Sequence, residues 1–329
     1  MGLTVLEICA GGGGQARGLE EAGFDLVGAV EIDREACNTL RKNRPDWNVI
    51  EGSVADINGG DFRGVDLFAG GVPCPPFSIA GKQLGREDER DLFPQALRLV
   101  EETKPKAVLL ENVPGFASAK FSEYRGNLTR KFDRLGYEVQ WRVLNACWFG
   151  VPQLRPRFVL VAFRGAFPEC FRWPEPNGAV PLTVGDALFD LMSSREWRGA
   201  DRWRQKASGI APTLVGGSKK HGGPDLGPTR ARRQWAALGV DGLGLADEPP
   251  GRDHPVSHIP RLTVRMAARV QGFPDSWVFC GGKTASYRQV GNALPPNVAE
   301  AVGSAIAAAL AGSAGRSRRV QIPLFEMAR

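Results

Sequence analysis

The chain has only three histidines, His221, His254 and His258, and its six cysteines, Cys9, Cys37, Cys74, Cys147, Cys170 and Cys280, form no Cys-x-x-Cys pair. Zinc sites draw closely spaced Cys and His ligands together, so no metal centre is expected; Pro255 also argues against the helix that would align His254 with His258. Scattered cysteines offer no disulfide framework and point to a reducing compartment. No apolar run approaches the roughly 20 residues of a membrane helix, and no basic, cleavable leader opens the chain. There is no internal repeat, and the 41 Gly and 24 Pro cluster without a period, which excludes collagen-like and low-complexity readings. A cytoplasmic protein with no membrane partner is the expectation.

What is present belongs to an ordinary globular chain of 329 residues, 43% hydrophobic and 24% charged, long enough for one large domain or two modest ones. The net charge of +6 permits a nucleic-acid partner without requiring one. Its distribution says more. Arg195, Arg198, Arg202, Arg204, Lys206, Lys219, Lys220, Arg230, Arg232 and Arg233 face only Glu196, Asp201 and Asp225 over that stretch. With Trp197, Trp203 and glycine loops among them, these cations suit a phosphate backbone, although a solvated basic face reads equally well.

Leu3-Thr4-Val5-Leu6-Glu7-Ile8-Cys9 reads as a first strand, followed by Ala10-Gly11-Gly12-Gly13-Gly14 and a helical pattern through Ala16, Leu19 and Ala22. Strand, glycine turn, helix is the opening unit of a nucleotide-type fold. A second strand over 26–30 ends at Glu31, placed to accept from ribose hydroxyls. A helix over 34–42 and a short strand at Val49-Ile50 lead to Asp56-Ile57, which suit an adenine amino group and ring, or simply a turn.

The stretch with most chemistry is Gly70-Gly71-Val72-Pro73-Cys74-Pro75-Pro76-Phe77-Ser78, at the end of an apolar strand over 65–69. A thiol between prolines at a strand tip is a candidate nucleophile, or a small buried hydrophobe. A polar loop over 80–90 follows and reads as a mobile lid. A helix over 91–102 precedes a buried strand over 107–110, which delivers Glu111-Asn112-Val113 to the same sheet edge as Cys74, where open α/β sheets bind ligands. A helix over 124–135 and strands over 138–144 and 158–163 flank Gln153-Leu154-Arg155-Pro156-Arg157; in extended backbone the two arginines point the same way and suit a carboxylate, phosphate or polar carbonyl. From Arg164 to about Pro260 no clean period is visible, and a loop-rich module is expected. Regularity returns in a helix over 264–270 and an Ala-rich helix over 298–311.

With these pieces in this order the sequence resembles the bacterial-type DNA cytosine-5 methyltransferases over nearly the whole chain apart from the module around 191–260. The resemblance implies an α/β fold, a Rossmann-like S-adenosylmethionine-dependent methyltransferase sheet with a second, smaller, loop-rich target recognition domain. It divides the chain into 1–190, catalytic and cofactor-binding, 191–281, target recognition and hinge, and 282–329, a segment returning to the catalytic domain. It gives the cofactor S-adenosylmethionine, with product S-adenosylhomocysteine, contacts at Cys9, Ala10, Gly11, Gly13, Gly14, Glu31, Ile32, Asp56, Ile57, Pro73, Asn292 and Ala293. Catalysis falls to Cys74, Glu111, Arg155 and Arg157, and DNA contacts to Ser78, Lys82, Gln83, Arg90, Thr213, Leu214, Lys219, Lys220 and His221. The chain departs from the family pattern at Cys9, usually Phe, at Pro75-Pro76, where Gln usually follows the catalytic Cys, and at Met266, often Glu. The implied activity is sequence-specific methyl transfer to C5 of a flipped cytosine in double-stranded DNA, by a monomer, in a restriction-modification, orphan or phage setting. Whether a cognate restriction endonuclease accompanies it stays open. A tRNA cytosine-5 methyltransferase on the same scaffold is the alternative.

Overall fold

The computed structural model describes residues 2–73, 91–176, 180–217 and 225–312. Two compact units divide the chain. The first comprises Met1–Leu144, Pro156–Pro174 and the chain from Val298; the second comprises Asn145–Arg155 and Glu175–Asn297. These boundaries do not coincide with the division at 190/191 and 281/282 read from the sequence.

The first unit is built on a seven-stranded sheet with strands β1 (Leu3–Ile8), β2 (Phe24–Glu31), β3 (Val49–Glu51), β4 (Leu67–Gly71), β5 (Ala107–Asn112), β6 (Tyr137–Asn145) and β8 (Pro156–Arg164) in the order β3-β2-β1-β4-β5-β8-β6. β1 pairs in parallel with β2 and β4, β2 with β3, and β4 with β5, whereas β8 runs antiparallel to β5. The central strands are largely apolar and buried on both faces, Glu7 of β1 being a buried exception, as suits a parallel sheet covered on both sides. The chain first steps outward through α1 (Gly14–Glu21), β2, α2 (Arg34–Asn43) and β3, then crosses back to lay β4 on the other side of β1. That reversal makes the carboxyl ends of β1 and β4 the switch point, where such sheets hold ligands.

One face of the sheet packs Leu6, Ile8, Phe68, Val108, Leu110 and Leu160 against Phe93, Ala96, Leu97 and Val100 of α3 (Phe93–Thr103) and Leu128 and Phe132 of α4 (Ser122–Arg134). The glycine at the end of β4 is a packing requirement: a Cβ on Gly70 would lie 2.6 Å from Ile8 Cγ1 and 2.9 Å from the Ile8 carbonyl. The Ala-rich helix α10 (Pro296–Leu310) buries Val298, Ala299, Val302 and Ile306.

Most of the described second unit is irregular, as the sequence reading expects, with short helices set in it. It contains helices α5 (Val184–Ser193), α6 (Ala200–Lys206), α7 (Thr229–Ala237), α8 (Val264–Val270) and α9 (Lys283–Asn292), with β7 (Gln153–Leu154) paired in parallel to β9 (Ala211–Pro212). Trp197 and Trp203, expected beside a phosphate backbone, are buried instead. Their indole N–H groups donate to the Pro255 and Gly239 carbonyls, both at 3.0 Å, so these rings build the unit's interior. The neighbouring Arg198, Arg202, Arg204 and Lys206 are exposed. At the start of α8, the Thr263 hydroxyl accepts from the Met266 N–H at 3.2 Å while the Met266 sulfur accepts from the Thr263 N–H at 3.5 Å. A thioether thus closes the capping box that Glu or Gln usually closes.

Candidate active site

The first part of the site is the turn between β1 and α1. Cys9, at φ 53°, leaves the strand in a left-handed conformation, and Gly11 and Gly13 follow at φ 54° and 87°. Only glycine takes that region without strain, so the turn is tight and its backbone open to close approach. The Ala10 N–H donates to the Val30 carbonyl at 3.1 Å, and Gly13 caps α1. Glu31, at the tip of β2, accepts from three backbone N–H groups: Gly11 at 2.7 Å, Ile32 at 2.8 Å and Asp33 at 2.7 Å. This carboxylate fixes the loop after β1 against the loop after β2. A carboxylate has about four lone-pair sites, so capacity remains for a ligand hydroxyl. Ile32 beside it is an apolar side chain that is 72% exposed.

Asp56 ends a short 3-10 turn, Val54–Asp56, and is exposed, whereas Ile57 is half-buried against the sheet's core. Arg98 of α3 holds this segment, donating to the Val54 and Ile57 carbonyls at 3.0 Å each and pairing with Glu102. Both residues sit as the sequence reading placed them, beyond the third strand.

The second part lies at the ends of β4 and β5. Parallel register sets Gly71 beside Glu111, where a Cβ on Gly71 would be 3.5 Å from Glu111 Oε2. Arg157 of β8 donates through Nε to Glu111 Oε1 at 2.8 Å; the two side chains are 9% and 11% exposed. Burial lowers the Arg157 pKa and the Glu111 carboxylate opposes that shift. Asn112, not singled out from the sequence beyond its place in the motif, donates to the Val72 carbonyl at 2.9 Å. It thereby anchors the backbone entering Pro73-Cys74. A polar residue beside Glu111 on a strand otherwise buried was the available signal.

Cys74, Ser78, Lys82, Gln83, Arg90, Lys219, Lys220 and His221, with the expected lid over 80–90, lie outside the described residues. Among the other cysteines, burial pushes the Cys9 thiol up to about 12 and the Cys37 thiol up to about 11, with Glu31 adding to both, and burial also raises Cys147. A thiol held protonated is a poor nucleophile, so none of these three competes for that role.

Arg155 departs from expectation. It does not converge with Arg157 on one carboxylate. Arg155 falls in the break between β7 and β8, and the division between the two units passes just after it. Its guanidinium is fully buried and donates to the carbonyls of Leu214 at 2.7 Å, Gly291 at 2.6 Å and Ala293 at 3.0 Å. Gln153 joins the same network: its Oε1 accepts from the Leu214 N–H at 2.8 Å, and its Nε2 donates to Gln271 Oε1 at 2.8 Å. Thr213 donates to the Leu154 carbonyl at 2.7 Å, and Asn292 to the Gly217 carbonyl at 3.1 Å. Arg155, Thr213, Leu214, Asn292 and Ala293 therefore share one hydrogen-bonded knot in the second unit.

A glycine turn after β1, an acid at the tip of β2 and a buried Glu–Arg pair at the ends of β5 and β8 make up the candidate site among the described residues. Residues 3–308 match the family described as C-5 cytosine-specific DNA methylase. The chain is 56% identical over 323 residues to the Type II methyltransferase M.NaeI of Lentzea aerocolonigenes, covering 97% of this chain and 78% of that one. It is 55% identical over 313 residues to the Type II methyltransferase M.NgoMIV of Neisseria gonorrhoeae, covering 94% and 99%. Among solved structures, a candidate DNA modification methyltransferase encoded within an Escherichia coli prophage superposes with a TM-score of 0.66 at 26% identity, covering 94% and 99%. Spodoptera frugiperda DNMT2, at 18% identity and a TM-score of 0.66 over 92% and 99%, shares the fold. The family match disfavours the tRNA alternative, and the chain belongs to the C-5 cytosine-specific DNA methylases.

Proposed function

We propose that this chain methylates C5 of a cytosine flipped out of duplex DNA through a covalent bond from Cys74 to C6. The buried Glu111–Arg157 pair at the tips of β5 and β8 carries the reading. Cytosine C5 is a weak nucleophile, and attack at C6 makes it enamine-like. Glu111 holds N3 and the exocyclic amine, favouring the N3-protonated base that thiolate attack requires. Arg157 fixes the Glu111 carboxylate and offers its remaining N–H groups to the cytosine O2. Loss of the C5 proton then allows the Cys74–C6 bond to break and release the thiolate. C6 is shielded inside a stacked duplex, so the base must leave the helix first.

The residues of the first unit fit S-adenosylmethionine. Glu31 retains acceptor capacity for a ribose, Ile32 is exposed for an adenine face, and Asp56-Ile57 suit the adenine edge. When bound, S-adenosylmethionine supplies an electrophilic methyl group. Gly11, Gly13, Gly14, Cys9, Ala10 and Pro73 complete the first unit's part of the proposed cofactor set. Thr213 and Leu214 would position the neighbouring Lys219, Lys220 and His221 for the target sequence, with Ser78, Lys82, Gln83 and Arg90 against the flipped base and its strand. The exposed cations of α6 and α7 suit the phosphate backbone. The proposed working form is a cytoplasmic monomer within a restriction-modification system, its companion endonuclease acting separately.

Bisulfite sequencing of DNA from cells expressing the chain tests the reading. One short recognition sequence with 5-methylcytosine at a fixed position is expected; no methylated cytosine above the background of cells lacking the gene would overturn it.

A further inference from the structure

The segment assigned to adenine is held from outside itself. Asp56 is exposed and closes a 3-10 turn, Val54–Asp56, so its carboxylate goes where the backbone carries it. That backbone is tied to α3. Arg98 donates to the carbonyls of Val54 at 3.0 Å, Ala55 at 3.4 Å and Ile57 at 3.0 Å. Its Nε donates to Gln95 Oε1 at 2.8 Å, and a terminal nitrogen also reaches the two Glu102 oxygens at 2.9 and 3.0 Å. Glu102 in turn accepts from the Gly59 N–H at 2.8 Å. A Cβ on Gly59 would lie 2.6 Å from Glu102 Cβ, so this close approach requires glycine. Asp56 and Ile57 are thereby bracketed, by Arg98 on the carbonyls either side of Asp56 and by Glu102 on the N–H two residues beyond Ile57.

These contacts amount to more than an ion pair, which between half-exposed side chains is worth little. The planar fork of a guanidinium spans several carbonyls of one turn, and a lysine ammonium does not. Hydrogen bonds from Arg98 hold the Glu102 carboxyl below its ordinary pKa; burial opposes that shift and the Gly59 N–H adds to it. Each of the three Arg98 nitrogens already has a protein acceptor. Arg98 therefore acts on a ligand through the residues it holds.

We propose that Arg98, with Glu102, is a positioning residue for adenine selectivity: it holds the Asp56 carboxylate where it accepts from the adenine amino group. This rests on the cofactor reading above. The transferred methyl lies across the ribose from adenine, so loosening the bracket acts on recognition of the base before it acts on the chemistry.

The test is calorimetric binding of two probes to the full chain. S-adenosylhomocysteine carries the amino group; S-inosylhomocysteine carries an oxo group in its place. The parent should prefer the adenine probe roughly tenfold or more, the worth of one hydrogen bond to a charged acceptor. In Arg98→Ala and Arg98→Met the preference should shrink toward one, and KM for S-adenosylmethionine should rise by a similar factor that outweighs any change in kcat. Arg98→Lys should fall between. Gly59→Ala, which disturbs the bracket from its other end, should also shrink the preference. A merely structural role would weaken both probes alike and keep their ratio; that result, or an undiminished preference in the Arg98 variants, would overturn the inference. A parent that binds both probes equally would overturn the assignment of Asp56 and this inference with it, whereas a parent that binds neither would overturn the cofactor reading itself.

Discussion

Glu111→Ala separates catalysis from cofactor binding, and its size follows from the geometry. The Glu111 carboxylate accepts from Arg157 Nε at 2.8 Å with both side chains at most 11% exposed. Removing the carboxylate leaves a buried guanidinium without its counter-ion, a change that costs about 3–5 kcal/mol in comparable sites. The same substitution removes the group proposed to hold cytosine N3. Losing a positioned acid–base partner slows reactions by roughly 10²–10⁴-fold, or about 3–5 kcal/mol in the barrier. Glu31 is held by the Gly11, Ile32 and Asp33 N–H groups on the loops after β1 and β2, so cofactor affinity should hold. Single-turnover methyl transfer, run at a temperature where circular dichroism shows the variant folded, reads the rate; calorimetry with S-adenosylhomocysteine reads binding. The double variant Glu111→Ala/Arg157→Ala removes the stranded cation and should recover part of the stability but none of the rate. Equal losses in turnover and cofactor affinity would refute the role given to Glu111, and so would a double variant that regains activity.

Arg155→Lys should destabilise the chain by about 1–3 kcal/mol, because an ammonium cannot reach carbonyls spread across Leu214, Gly291 and Ala293 as a guanidinium does. Unfolding in urea measures this; unchanged stability with a collapsed turnover rate would restore Arg155 as a substrate contact. Burial, and then the Glu31 charge, holds the Glu7 pKa well above the usual carboxylate range. The folded chain therefore keeps a proton that the unfolded chain releases, and that contribution, complete below the unfolded pKa of about 4.3, is lost as pH climbs toward the folded value. Glu7→Gln carries no such titration, so its stability should gain on the parent's as pH rises from about 4 to 8. Melting curves across that range check it, and a constant offset would contradict the cause assigned.

Much of the first unit was legible in the sequence because its elements obey simple periods. The runs at 3–9, 26–30 and 107–110 appear as β1, β2 and β5, each extended or trimmed by a residue or two, and α8 spans 264–270 as read. The site residues on those elements were legible for the same reason: a strand end fixes where Glu31 and Glu111 emerge. The second unit hid its helices. In α9 the buried face is Ser286, Tyr287, Gln289, Val290 and Gly291, and Ser286 and Gln289 are satisfied by the Cys280 and Gly281 carbonyls. Hydrophobic periodicity cannot report a face buried by hydrogen bonds. In α6 and α7 single tryptophans, Trp203 and Trp235, do the packing that a stripe of aliphatics does elsewhere. The arginine pair failed for another reason: alternation holds within one strand, and Arg155 precedes the strand that carries Arg157.

The central claim is a covalent bond from Cys74 to the target base. Duplex DNA carrying 5-fluorocytosine at the methylated position blocks the proton loss that frees the thiolate. Incubated with the protein and S-adenosylmethionine, it should yield a denaturation-resistant adduct whose mass equals protein, duplex strand and one methyl group, and Cys74→Ser should yield none. An active protein that forms no adduct, or a Cys74→Ser variant that forms the same one, would contradict the account.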